Sequence, residues 1–130
     1  MATLEAYEWI RTKILALSGE SYCYVNSFND DHDNISSIHY YDSGDENDIV
    51  FGNSTSVRYL NFQVRVRDTS FETGYDRIEA IRNFFKAYNY QTINIYPKSD
   101  IIMLGNDEKD RSILICNFIL NLVGGNTITI

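Results

Sequence analysis

The side chains able to do chemistry in this chain are few and scattered. Its histidines are His32 and His39, and its cysteines are Cys23 and Cys116. Hydrolytic catalysis needs a nucleophile, a base that activates it and a group that orients the base. His39 lies in a strand-like run, where a histidine is usually structural, and His32 lies in a loop with no Ser or Cys beside it. The loop Asn29-Asp30-Asp31-His32-Asp33-Asn34 has oxygen donors for a divalent cation, but it lacks the glycine and distal glutamate of a calcium loop and reads more simply as a solvated acidic loop. There is no glycine-rich phosphate cradle, no CxxC pair and no GxGxxG between a strand and a helix, so no cofactor is expected. The cysteines stand far apart in apolar runs and read as buried, reduced thiols. The inventory argues against an enzyme.

Charge narrows the partners. The chain carries a formal charge of -7 with a pI near 4.6. No Lys or Arg occurs between Lys13 and Arg58, and Asp30, Asp31, Asp33, Asp42, Asp45, Glu46 and Asp48 crowd into that interval. Such a surface repels polyanions and excludes nucleic-acid binding over the whole molecule. No stretch reaches the roughly 18 apolar residues of a membrane span, and the start Met-Ala-Thr-Leu-Glu-Ala-Tyr-Glu-Trp has no basic leader, which leads us to expect a cytoplasmic protein with no membrane partner.

The elements that must position these residues follow from periodicity. At 130 residues the chain has room for one domain, spanning 1–130, and with ten Tyr, seven Phe and one Pro it reads as folded and strand-rich. Leu4, Tyr7, Ile10, Ile14 and Leu17 repeat every three or four positions and predict a helix, with Glu5, Glu8, Arg11 and Lys13 on its wet side. Strands are predicted at Ser21 to Asn26, Ile35 to Tyr41 and Asp48 to Phe51. Between Val57 and Asp68 the alternation is strict: Leu60, Phe62, Val64 and Val66 face one way, and Tyr59, Asn61, Gln63, Arg65 and Arg67 the other. A second helix, capped from Asp68, Thr69 or Ser70, carries Tyr75, Ile78, Ile81, Phe85 and Tyr88 to about Asn89. Strands follow at Thr92 to Tyr96, Ile101 to Leu104 and Ser112 to Val123, then Gly124 and Gly125 precede a short β-prone tail, Thr127 to Ile130. The fold class is therefore α+β, a mostly antiparallel β-sheet with two main helices packed on one face.

Helices on one face leave the other to be covered. In the last long strand Leu114, Cys116, Phe118, Leu120 and Leu122 share one face, while Ile113, Ile115, Asn117, Ile119 and Asn121 share the other. Because both are partly apolar, the second face must meet either another layer of this chain or a neighbouring subunit. Arg65 and Arg67 lie on the polar face of the clearest strand, suited to cross-strand or intersubunit salt bridges, or simply to water. Arg65, Arg67, Ile113, Ile115 and Ile119 are thus the candidate subunit interface.

Two stretches carry a resemblance. Asn61-Phe62-Gln63-Val64-Arg65-Val66-Arg67-Asp68, followed by the helix from Phe71 to Tyr88, is similar to the arginine-ended strand and helix of the tail terminator proteins of long-tailed bacteriophages, also called tail completion or minor capsid proteins. From Ser99 to Phe118, the residues Leu104-Gly105-Asn106-Asp107-Glu108, Arg111 and Asn117-Phe118 resemble that family's glycine and aspartate turn and closing strand. The chain departs from the pattern in having its only proline at Pro97 and an asparagine, Asn106, where a basic residue is common. The resemblance implies a subunit of a homo-oligomeric ring, usually a hexamer, on the head-proximal end of the tail tube. Such a ring ends tail polymerisation and offers a head–tail joining surface to the head connector protein. The resemblance further implies a virion protein assembled in the host bacterial cytoplasm, with the tail tube protein as partner and DNA passing without specific binding. On that reading Asp30, Asp31, Asp33, Asp45, Glu46 and Asp48 line or border the lumen and repel the genome. A small ferredoxin-like ligand-binding domain is the alternative, and a hydrolase using His32 and a metal is a weaker one.

Overall fold

The computed structural model describes residues 2–18, 22–28, 32–41, 49–50, 56–86, 88–90 and 93–123. In chain order these form α1 (Ala2–Ser18), β1 (Cys23–Val25), β2 (Ile35–Tyr41), β3 (Ile49–Val50), β4 (Ser56–Asp68), α2 (Phe71–Phe85), β5 (Tyr88–Tyr90), β6 (Ile93–Pro97), β7 (Ile102–Asn106) and β8 (Ser112–Val123). The strands make one sheet in the order β1-β2-β4-β8-β6-β5, with β3 added to β4 and β7 to β8. Only the β1–β2 pairing is parallel among the described strands. The α+β expectation holds, and both helices pack on one side of the sheet.

The spine is the β4–β8 ladder, in register from Val57 opposite Val123 to Asp68 opposite Ser112. Period-two alternation sends Phe62, Val64 and Val66 of β4 and Leu114, Cys116, Phe118 and Leu120 of β8 to the helix side, where all are fully buried. Phe118 stacks on Phe62 at 5.2 Å between ring centroids and meets Phe85 of α2 edge-on at 5.9 Å. From α1, Tyr7, Trp9, Ile10 and Ile14 are buried in this core. Leu17, expected in that stripe, is instead exposed. Arg11, expected on the wet side, donates from Nε to the Cys23 carbonyl at 2.6 Å and ties α1 to β1.

Helix α2 begins where its sequence says it should. Ser70 is the N-cap, its hydroxyl accepting from the Thr73 N–H. The Asp68 carboxylate accepts from the Ser70 N–H at 2.8 Å and from Arg77 at 2.8 Å, and Arg77 also donates to the carbonyls of Ile35 and Arg67. This buried pair locks the first turns of α2 onto the end of β4. Close approach is possible because residue 74 is glycine: a Cβ there would stand 3.0 Å from the Cβ of Asp68 and 3.2 Å from Cδ1 of Leu114. The helix ends at Phe85, not near Asn89, and Tyr88–Tyr90 is a strand paired with β6. Both cysteines are buried and neither forms a disulfide, as expected. Among the described residues no helix is long and apolar enough to cross a membrane. The tail Thr127 to Ile130 lies outside the described residues.

Candidate interaction surface

Opposite the helices, the register brings Ile35, Ser37 and His39 of β2 beside Arg67, Arg65 and Gln63 of β4, and these beside Ile113, Ile115 and Asn117 of β8. Ile119 follows on β8, flanked by Tyr96 of β6, while Ile102 of β7 flanks Ile115. The candidate interface residues Arg65, Arg67, Ile113, Ile115 and Ile119 therefore share one face, as their alternation predicted.

Their environments differ. Arg67 is only 3% exposed. It donates from Nη2 to the His32 carbonyl at 2.5 Å and from Nε to the Asp33 carbonyl at 3.3 Å, and its guanidinium lies 4.8 Å from the centre of the Phe28 ring. A loop of this chain thus covers Arg67, so the side chain is neither solvated nor free to meet a neighbour's carboxylate. Arg65 is half-buried, donates from Nε to Gln63 Oε1 at 2.7 Å and lies 5.9 Å from the same ring. Gln63 in turn donates to Asn117 across the ladder at 2.9 Å. Ile115, between Arg65 and Ile102, is 7% exposed, covered by its own chain. Ile113 and Ile119 are half-buried, and Tyr96 and Ile102 are exposed at 41% and 40%. The face is thus part covered and part open: the covered part centres on Arg67 and Ile115, the open part on Ile113, Ile119, Tyr96 and Ile102.

The covering loop has a second anchor. Arg111, buried at the start of β8, reaches Asp33 at 3.3 Å and Asp107 at 2.8 Å. His32 stacks flat on Tyr22 with ring centres 3.6 Å apart. Of the acidic candidates only Asp33 lies among the described residues, with its side chain 66% exposed. Asp30, Asp31, Asp45, Glu46 and Asp48 lie outside them.

The β7–β8 turn is built on one carboxylate. Asp107 Oδ1 accepts from the N–H groups of Lys109 and Arg111 at 3.0 and 2.9 Å, and Oδ2 accepts from Arg111 Nε at 2.8 Å. The Arg111 hydrogen bond holds the Asp107 carboxyl below its ordinary pKa. Gly105 has φ +115°, a backbone setting that glycine tolerates and other residues rarely adopt, at a bulge that shifts the β7–β8 register. The hollow beside the turn, about 280 Å³ and lined by Asp107, Glu108, Lys109 and Arg111, is charged rather than apolar and unlike an ordinary small-molecule pocket.

One contact invites a catalytic reading. Ser37 Oγ lies 2.7 Å from His39 Nε2. Ser37 has no exposed surface, so no substrate reaches its oxygen. Burial, then the charge of Arg65, lowers the His39 pKa from 6.5 to about 4, leaving the ring neutral at pH 7. The pair serves the sheet.

Three residues of this face escaped the sequence reading: Phe28, which sits in a polar stretch, and Tyr96 and Ile102, whose facing depends on strand register. Only the pairing of β6 and β7 with β8 puts the last two beside Ile119 and Ile115.

Comparison with known proteins fits this architecture. The chain resembles, over 93% of its length and 95% of the other chain, a component of the structure titled "Virion of native gene transfer agent (GTA) particle", with a TM-score of 0.59 at 12% identity. At that identity the likeness is one of fold. No curated protein matches the sequence. The family model for the bacteriophage tail terminator protein matches residues 5–123, which includes most of α1, all of α2, the β4–β8 spine and the Asp107 turn. This chain, a structural component of a phage-type tail, belongs to the bacteriophage tail terminator protein family.

Proposed function

We propose that this protein forms a closed ring of identical subunits, a hexamer, on the head-proximal end of the tail tube, where it ends tail polymerisation and presents the head connector with its joining surface. Family membership over residues 5–123 carries the reading. The half-open second face supports it: a monomer in water gains by covering Ile113, Ile119, Tyr96 and Ile102, and a neighbouring subunit would do so. Ile115 and Arg67 lie beneath, fixing that surface from inside, and Arg65 stands at its margin as the charge available to a neighbour's carboxylate. The role is structural rather than enzymatic. On this reading the acidic interval, with Asp30, Asp31, Asp33, Asp45, Glu46 and Asp48, lines or borders the lumen, and its carboxylates keep passing DNA from adhering. Assembly takes place in the host bacterial cytoplasm, and the finished ring remains in the virion.

Light scattering of the purified protein across a concentration series, followed by electron microscopy of any large species, tests the ring, with isolated tail tubes added in parallel. Rings, free or seated on tubes, are expected. Ile119→Asp, which places a charge on the open face, is expected to abolish them while leaving the circular dichroism spectrum unchanged. A wild-type protein that stays monomeric and ignores tail tubes overturns the proposal in favour of a ligand-binding domain.

A further inference from the structure

Strand β7 presents an open sheet edge. It pairs with β8 on one side, and among the described residues nothing pairs with the other. Ile102, Met103 and Leu104 are exposed at 40%, 43% and 59%, an apolar run on an unpaired edge with no inward-pointing charge or proline within β7. Such an edge is a template for an added strand. Beyond β8 the chain reads Gly124-Gly125-Asn126-Thr127-Ile128-Thr129-Ile130, two glycines able to redirect the backbone and then Asn126 with four β-branched residues, together as long as β7.

The same molecule cannot join the two. Val123 ends β8, whereas the nearest paired residue of β7, Ile102, lies opposite Ile115. Those eight residues of strand span about 26 Å, and a place outside β7 adds about 10 Å sideways. Seven residues from Gly124 to Ile130 reach at most about 25 Å, so their tip falls short of Ile102 and none remains to pair. We infer that residues 126–130 of one copy add as a strand to the outer edge of β7 of the next copy. A tail that leaves one end of β8 and docks near the other end of a neighbour's β8 is a head-to-tail contact, which closes into a ring when the rotation between copies permits. The inference rests on the self-association proposed above.

Four full-length variants with one added cysteine each, at Thr127, Ile128, Thr129 or Ile130, are mixed with Met103→Cys protein under mild oxidation. The native thiols are buried and do not compete. Paired strands bring side chains on a shared face within disulfide range, so a mixed disulfide is expected from one or two alternate tail positions and not from all four. Removing residues 126–130 is expected to raise the concentration needed for assembly at least tenfold. Rings without any mixed disulfide, or undiminished assembly of the truncated protein, overturn this inference alone. Protein that stays monomeric with and without tail tubes, and forms no mixed disulfide, overturns it together with the ring.

Discussion

Replacing Arg67 by lysine should cost more stability than replacing it by methionine, although lysine keeps the charge. Arg67 holds the loop at residues 32–33 by two hydrogen bonds from one planar group, at 2.5 and 3.3 Å, with Phe28 over its face at 4.8 Å. Net of water, a bond from a charged donor contributes about 1.5–3 kcal/mol, with the longer one at the low end, and the ring adds about 0.5–2 kcal/mol. Against this stands the cost of keeping a cation where 3% of the residue meets solvent, several kcal/mol before its partners compensate. Methionine loses the bonds but also removes that cost, while its stem keeps the packing, so a loss of about 0–2 kcal/mol is expected. Lysine keeps the cost with a more strongly hydrated ammonium that cannot reach both carbonyls and face the ring, so a loss of about 2–4 kcal/mol is expected. Urea denaturation with circular dichroism at pH 7 measures both. Amide exchange at Ser36, whose N–H donates to the Tyr22 carbonyl beside the loop, reports local release. Lysine tolerated better than methionine, or both variants within about 0.5 kcal/mol of wild type, would refute the reasoning.

The other expectations concern packing and protons. Gly74→Ala drives a methyl to 3.0 Å from Asp68 and 3.2 Å from Leu114, and should destabilise by about 1–2 kcal/mol despite the helix propensity gained, measured by thermal unfolding. Phe118→Ala removes the ring shared by Phe62 and Phe85 and should cost about 3–5 kcal/mol in the same assay. The folded-state pKa of His39, about 4, lies below the ordinary 6.5, so between those values the unfolded chain binds the extra proton. Its contribution is complete above pH 6.5 and is lost as pH falls toward 4. With solvent screening at a half-buried ring this amounts to about 1–2 kcal/mol, and His39→Gln should flatten that part of the stability profile in urea titrations at stepped pH.

What could be read from the chain was whatever repeats locally. Strict alternation placed β4 within one residue of its observed start, because a sheet with one buried face imposes period two directly, while the apolar and β-branched runs of β2 and β8 placed those strands at their observed bounds. The Ser70 cap was legible for the same reason: its partner, Thr73, lies three residues away. Tyr88 misled because it follows Phe85 at helical spacing, and only pairing with Ile95 makes it strand. Arg65 and Arg67 look equivalent in sequence. Their difference comes from Phe28 and two carbonyls some 35 positions upstream, which no local pattern encodes. The same holds for the edge of β7: only the sheet order, in which no other described strand pairs with β7, shows that Ile102, Met103 and Leu104 lie at an edge.

The position of β8 in the sheet bears on how the protein is made. Its ladder partners β4, β6 and β7 all precede it in the chain, so the central strand leaves the ribosome after every other described element. Until it emerges, the nascent chain holds β4 and β6 with open edges and the aromatic faces of Phe62 and Phe85 without Phe118. Pairing β4 with β8 closes loops of about 45 to 65 residues, a non-local step of the kind that slows folding. Subunits able to assemble therefore accumulate only after synthesis has passed β8, and the interval before it is when the chain is most exposed to aggregation.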